Sequence, residues 1–413
     1  MVFNMIQRDL YLNQLDDLKD TKTIKILTGI RRCGKSSILL SFMEKLKNEG
    51  IDENHIIYLN MDLIKNREFK DYLKLYDYIK SQIKIDKNKN YIFLDNIPKV
   101  KNWVNGINAI SEEFGNYVDI YITGLDGNIS EELRTSLNLP VLDVNILPLS
   151  FKEYLLFDQE YWNDNQSIED KFNDYLHYGS LPLIFEHKKS DSLFNNILKG
   201  VYTSIIVKDM LVKSKIKNTI LLEEIFSFAI FNLGEYISSK KITEYFKNEG
   251  VKTTPTTVLE YFKYLDKSYL FYPSKRYNLK CNVYLRTLEK HYISDLGIRN
   301  AILGFEDEKS QGVLENLVYF ELLRRDYNIS MVKLNNHKID FLAVRPDKKQ
   351  YYQIIKNLND DNILNKKIKA LEAVKDSYEK IIITFDKTHI KNINGIKIMN
   401  IIDFLCADDD LLM

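Results

Sequence analysis

The sequence predicts an α/β protein built on a parallel sheet with helices on both faces, and three observations carry that expectation. Five short apolar runs, "IKILT" (24–28), "HIIYLNM" (55–61), "YIFLD" (91–95), "DIYIT" (119–123) and "VLDVNIL" (141–147), have strand length and are separated by helical patterns. Continuous rather than alternating apolar runs suit strands covered on both faces. The third observation is a glycine turn, "GIRRCGKS" (29–36), placed after the first run and before the amphipathic "SSILLSFMEKL".

Further along, residues 151–225 lose the strand signal and read as helices, broken at "YGSLP" (178–182). "SSKKITEYFKNEG" reads as a short helix with a serine N-cap and a terminal Gly250. In "TTPTTVLEYFKYLDKS", Thr254 is the expected N-cap and Pro255 the first helical residue. "YLFYPSKRYNLKCNVYL" reads as a hairpin with a basic tip. A helix at 312–325, strands at 338–345 and 350–356, a helix at 365–378 and a strand at 380–386 complete the pattern.

A length of 413 residues suits two to four domains, and 45% apolar residues supply ample core. Lysine and arginine balance aspartate and glutamate at 58 each, so any nucleic-acid patch must be local. Cys33, Cys281 and Cys406 lack metal-ligand spacing and fit a reducing compartment. The start, "MVFNMIQRDLYLNQL", turns charged too early for a secretory leader, and no apolar run approaches the ~20 residues of a membrane span. A cytoplasmic protein is expected.

"GIRRCGKS" has the eight-residue spacing of a phosphate loop. Gly29 and Gly34 let backbone N–H groups wrap phosphates, and the following helix N-terminus adds positive partial charge. Lys35 would reach the outer phosphates, and the Ser36 hydroxyl would join a Mg²⁺ shell with Asp95 at the end of the third run. Arg32 and Ser37 are further candidate contacts to ATP, although for Arg31 and Arg32 facing solvent is the favoured expectation. The alternative is a chance match in a glycine turn.

With "RDLYLNQL", "GIRRCGKSSILL", "YIFLDNI", "YITG", "LPLSFKEYL", "YGSLP", "VKDML", "LENLVYFELLRR" and "KIDFLAV", the chain resembles, over nearly its whole length, a large prokaryotic family of AAA-type ATP-binding proteins with a C-terminal domain of unknown function. The resemblance implies an AAA-type P-loop domain (1–150), a helical lid or linker (151–225), a winged helix (226–290) and a restriction-endonuclease-like α/β domain (291–413). The chain departs from the family at three places. Asp95-Asn96 stands for Asp-Glu, Leu125-Asp126 for Ser-Asn after Thr-Gly, and Leu139-Pro140 for Gly-Arg.

Those departures touch hydrolysis rather than binding. Loss of a positioned general base costs roughly 10²–10⁴-fold in rate, and loss of a charge-stabilising arginine about 10³ or more. Asn96 cannot take a proton but could place a water. One expectation is therefore a nucleotide-holding site with feeble turnover. The other is that the carboxylate has crossed to the neighbouring strand, making Asp126 the base.

Between Lys240 and Lys290 there are eleven Lys/Arg against five Asp/Glu. The helix from Pro255 should bury Val258, Phe262 and Leu265 and expose Thr256, Thr257, Glu260, Lys263 and Tyr264. Lys263 would then approach a DNA groove, with Lys275, Arg276 and Lys280 on phosphates. Packing against the ATPase half is the alternative, favoured by Glu260. In the terminal segment Glu315, Asp340 and Gln353 fit a metal-dependent nuclease pattern. The lysine expected two residues after Gln353 is Ile355, and Lys356 should face away. An inactive core is expected. The function expected is an ATP-binding protein whose nucleotide state positions the C-terminal half, possible assembly into oligomers included. The alternative is a DNA- or protein-binding module with a vestigial nucleotide site.

Overall fold

The computed structural model describes residues 6–124, 135–136, 139–211, 216, 218–281, 283–305 and 308–408. The chain divides into two compact units, residues 1–148 with 267–269, and 149–266 with 270–413.

In the first unit α1 (Asp9–Asp17) leads to β1 (Ile24–Thr28), α2 (Lys35–Asn48), β2 (Ile56–Asn60), α3 (Tyr72–Gln82), β3 (Asn90–Asp95), α4 (Trp103–Phe114), β4 (Val118–Thr123) and β5 (Val141–Asn145). The five strands are all parallel, in the order β2-β3-β4-β1-β5. Each strand lies within two residues of its apolar run. The interior strands β1, β3 and β4 are buried at every position, whereas the edge strand β2 alternates. Ile92, Leu94, Ile120 and Ile122 pack with Leu75, Ile79, Ile107 and Ile110 of α3 and α4. On the opposite parity Phe93 and Tyr121 stack at 5.0 Å and meet Phe42 of α2 at 6.4 and 5.3 Å. The alternation of side chains thus gives each face its own layer of helices.

Lys25 falls on this second face, fully buried, in an ion pair with the equally buried Asp119. The Asp119 carboxylate also accepts the Tyr121 hydroxyl at 2.8 Å and the Asp20 N–H at 2.9 Å.

The second unit begins with α5 (Phe151–Phe157), α6 (Ile168–Tyr178), α7 (Asp191–Ser204), α8 (Thr219–Phe231), α9 (Ser239–Asn248) and α10 (Pro255–Lys267). There follow β6 (Phe271–Asn278), β7 (Val283–Ile293), α11 (Leu296–Leu303), α12 (Gln311–Arg324), β8 (Asn328–Leu334), β9 (His337–Arg345) and β10 (Lys348–Ile355). The described chain ends with α13 (Asp361–Glu372), β11 (Glu379–Thr384), β12 (Asn392–Ile393), β13 (Ile396–Asn400) and α14 (Ile401–Cys406). Ser150 and Glu153 form a reciprocal capping box at α5, and Ser238 and Thr254 cap α9 and α10.

The eight strands form one mixed sheet, β12-β13-β11-β10-β9-β8-β6-β7. Strand β6 runs parallel to β8, with Lys275 opposite Ser330. The basic hairpin therefore shares a sheet with the C-terminal strands, and residue 290 lies inside β7. Pairing with β8 satisfies the edge that a free-standing wing would leave open. The helix expected at 365–378 starts four residues earlier, because Asp360 accepts the N–H groups of Asn362 and Ile363 at 3.1 Å and caps it.

The break at "YGSLP" has a steric cause. Gly179 has φ +79°, and a Cβ there would lie 2.6 Å from both oxygens of Asp295. Asp295 is fully engaged, accepting the Ser180 N–H at 2.6 Å and the Ile298 N–H at 2.9 Å. Gly179→Ala is expected to lower stability by about 2–4 kcal/mol, through backbone strain and overpacking, which urea unfolding will measure. No helix among the described residues is long and apolar enough to cross a membrane.

Candidate functional site

The phosphate loop leaves the carboxyl end of β1. Gly29 has φ +132°, and a Cβ there would fall 2.2 Å from the Ile146 carbonyl oxygen beside β5, so only glycine fits. Gly34, at φ +102°, is the N-cap of α2 and offers no side chain to the first-turn N–H groups of Lys35, Ser36 and Ser37. Such an end favours an anion. Lys35 is largely buried, and its Nζ donates to the carbonyls of Gly29 and Ile30 at 2.8 and 2.9 Å. Its ammonium is folded onto the loop. Ser36 and Ser37 are exposed at the rim, as is Arg32, which takes φ +70°.

Arg8, buried and distant in sequence, holds the loop from beneath. Its guanidinium donates to the carbonyls of Cys33 and Leu147, both at 2.9 Å, and lies over the Tyr11 ring. The Tyr11 hydroxyl accepts the Leu147 N–H at 3.0 Å. These contacts explain why "RDLYLNQL" belongs with the loop, a role that its local pattern does not reveal.

Asp95 sits at the carboxyl end of β3, nearly buried. Its Oδ1 accepts the Thr123 hydroxyl at 2.5 Å, and its Oδ2 accepts Asn60 Nδ2 at 2.8 Å and the Tyr58 hydroxyl at 3.3 Å. Burial pushes the Tyr58 hydroxyl up to about 12, with the Asp95 charge adding to it. Asn96 takes the left-handed conformation, φ 58°, and its N–H donates to Thr123 Oγ1 at 2.8 Å. The tips of β3 and β4 are therefore tied together. The side chain of Asn96 donates to Asp62 Oδ2 at 2.9 Å, and Asp62 also pairs with Lys99. Burial alone would raise the Asp62 carboxyl. Hydrogen bonds from Lys99 and Asn96, with the charges of Lys99 and Arg31, outweigh burial and hold it below its ordinary value. Leu125 and Asp126 lie outside the described residues. Pro140 accepts the Ile24 N–H at 3.0 Å where β5 begins.

In the second unit Glu315 on α12 and Asp340 on β9 line one cavity of about 640 Å³. Glu315 accepts Lys290 Nζ at 2.6 Å and the Tyr292 hydroxyl at 3.3 Å. Asp340 accepts Lys367 Nζ at 2.5 Å and the Ile354 N–H at 2.8 Å. Burial alone would lower Lys290, but Glu315 and Asp340 outweigh it and hold the ammonium above its ordinary value. Gln353 does not join the cavity lining; it is buried, donating to the Lys338 carbonyl at 2.8 Å, and its Oε1 has no partner among the described residues. Lys356, expected to face away, lines the cavity, because β10 ends at Ile355 and strand alternation no longer governs it. Lys290 and Lys367 were not legible as site residues, since each meets its carboxylate only through the fold. No cluster of three metal-ligating side chains occurs among the described residues.

On α10 the buried side is Val258, Tyr261, Phe262 and Leu265, one aromatic wider than expected. Thr256, Glu260 and Lys263 are exposed, while Thr257 and Tyr264 are half-buried and Glu260 accepts the Tyr264 hydroxyl at 2.9 Å. Lys275 and Lys280 are exposed, and Arg276 lies over the Tyr236 ring.

A parallel sheet with this loop at its carboxyl end defines an AAA-type P-loop ATPase domain in the N-terminal part. Residues 21–155 match an AAA domain family (AAA_14), and residues 169–309 match a domain of unknown function (DUF8612). The chain is 32% identical over 409 residues to an uncharacterized protein of Haemophilus influenzae, covering 97% of this chain and 98% of that one, and it belongs to that protein's family. An uncharacterized protein of Methanocaldococcus jannaschii is 29% identical over 370 residues, 86% of this chain and 79% of its own. Among solved structures, a Walker-type ATPase of Pyrococcus abyssi aligns with a TM-score of 0.50 over 72% of this chain and 95% of that one. At 14% identity the likeness is one of fold alone. Domains of this class use nucleotide and Mg²⁺ in general.

Proposed function

We propose that the protein binds ATP with Mg²⁺ on its first unit and turns it over slowly. The observation that carries this is Lys35, whose ammonium is held inside a turn that tolerates no Cβ at Gly29, at an uncapped helix start. Gly29, Gly34 and the N–H groups of Lys35, Ser36 and Ser37 would hold the phosphates, with Arg32 at the rim. Ser36 and Asp95 would complete the metal shell. Bound magnesium would supply positive charge that offsets the charge of the phosphates. Slow turnover follows from Asn96, which cannot accept a proton; Asp126 is a candidate base in its place. Equilibrium dialysis with radiolabelled ATP tests binding, and loss of retention on adding EDTA tests the metal.

A second reading concerns the other unit, where α9, α10 and the β6–β7 hairpin would act as a winged helix and the cavity as a degenerate nuclease-like site. It is favoured by the lysines paired with Glu315 and Asp340, which occupy both carboxylates where a cation would be needed. Contact with a nucleic-acid backbone without cleavage is then expected. Charge reversal of Lys263, Lys275 and Lys280 should weaken duplex binding uniformly across sequences and flatten its salt dependence by about one unit of slope for each phosphate no longer neutralised. Anisotropy titrations at several salt concentrations will measure this. Unchanged binding would assign these residues to solvent instead.

A further inference from the structure

We infer that Asp62, in the turn that follows the strand next to Asp95, supplies the carboxylate that the Asn96 position lacks, and that it polarises the water attacking ATP. The inference rests on the nucleotide reading above and extends it to a residue outside both nucleotide motifs.

Strands β2 and β3 are parallel, with Asn60 opposite Asp95, and the Met61 N–H donates to the Asp95 carbonyl at 2.9 Å. Asp62 therefore emerges at the same sheet end as Asp95 and Asn96. Its backbone is fixed by Asn60 Oδ1, which accepts the Asp62 N–H at 2.8 Å, while the amide nitrogen of the same Asn60 holds Asp95. Its carboxylate is oriented by Asn96 Nδ2 at 2.9 Å. The charge of Arg31 acts on it from the phosphate loop.

The division of labour follows from what each oxygen does. Both oxygens of Asp95 are engaged, by Thr123 on one side and by Asn60 and Tyr58 on the other. Asn96 offers a donor, and it spends that donor on Asp62. Asp62 is ionised, fixed at two points and 53% exposed, so a water can reach it. Its remaining partner, Lys99, is equally exposed, and such pairs contribute only about 0–1 kcal/mol, so the ammonium exchanges readily for water or phosphate. A carboxylate and an amide thus meet just beyond the ends of two neighbouring strands, the carboxylate following the outer one.

In the step assigned to Asp62, the water oxygen bonds to the γ-phosphorus as the bond from that phosphorus to the β–γ bridging oxygen breaks. The bridging oxygen leaves on ADP with the electron pair. One water proton passes to the Asp62 carboxylate, which releases it to solvent.

Single-turnover hydrolysis and the dissociation constant for MgATP should be measured on the full chain for wild type, Asp62→Asn, Asp62→Glu and Asp126→Asn. Asp62→Asn should slow turnover by about 10²-fold or more with the dissociation constant within about threefold, and Asp62→Glu should keep at least about a tenth of the rate. A rate for Asp62→Asn within about threefold of wild type would overturn the assignment, and loss in Asp126→Asn alone would transfer it to that residue. A wild type that binds MgATP but never turns it over would overturn it as well. A wild type that fails to bind MgATP would instead remove the nucleotide reading underneath it.

Discussion

Lys35→Ala is expected to abolish the thermal stabilisation that MgATP gives this protein. A ligand at about 100 times its dissociation constant stabilises the folded state by about 2.7 kcal/mol, because it binds the native chain and not the unfolded one. Lys35 should supply much of that affinity, since an ammonium donating to phosphate oxygens makes charge-assisted hydrogen bonds about twice as strong as neutral ones. Without nucleotide the same ammonium satisfies the carbonyls of Gly29 and Ile30, so the substitution will also lower the variant's own melting temperature. The comparison must therefore be made within each protein, with and without MgATP. A shift of equal size in both would mean that the loop does not grip the phosphates.

Lys25→Met should destabilise the first unit by about 3–5 kcal/mol, the usual cost of leaving one partner of a buried ion pair alone. Both side chains are fully buried, and the Lys25 ammonium lies 5.2 Å from the Tyr121 ring. Burial lowers the pKa of Lys25 against the pull of Asp119. Burial also drives the Tyr121 hydroxyl far above its usual value, so it remains a donor to Asp119. That hydroxyl and the Asp20 N–H would soften the loss without replacing the charge. Denaturant unfolding should give a much smaller deficit for the double substitution Lys25→Met with Asp119→Leu, because no charge is then stranded. A single-variant cost below about 1 kcal/mol would mean that water or a neighbour replaces Lys25.

What could be read from the sequence was local. The interior strands were legible because strands covered on both faces are continuously apolar, and α10 because Thr254 and Pro255 announce its start. The phosphate loop was legible because its function fixes both residue type and spacing. The parts that were not legible depend on partners far apart in the chain. Lys25 meets Asp119 across 94 residues, Lys367 meets Asp340 across 27 and Arg8 meets Leu147 across 139. A lysine inside a five-residue apolar strand was nevertheless a usable sign that a carboxylate lay opposite. The parallel pairing of β6 with β8 had no such sign, nor did Asp62, which follows an apolar run as an ordinary polar residue. The five- and seven-residue π-helical turns at Asp158–Trp162 and Ile205–Leu211 were also silent, since the apolar spacing there passes for α-helix.

The measurement that bears most directly on the whole account is a calorimetric titration of the purified full chain with MgATP, repeated with EDTA in place of magnesium. Saturable binding near one nucleotide per chain, markedly weakened without the metal, is the predicted result. No heat and no retained nucleotide at millimolar MgATP would contradict it.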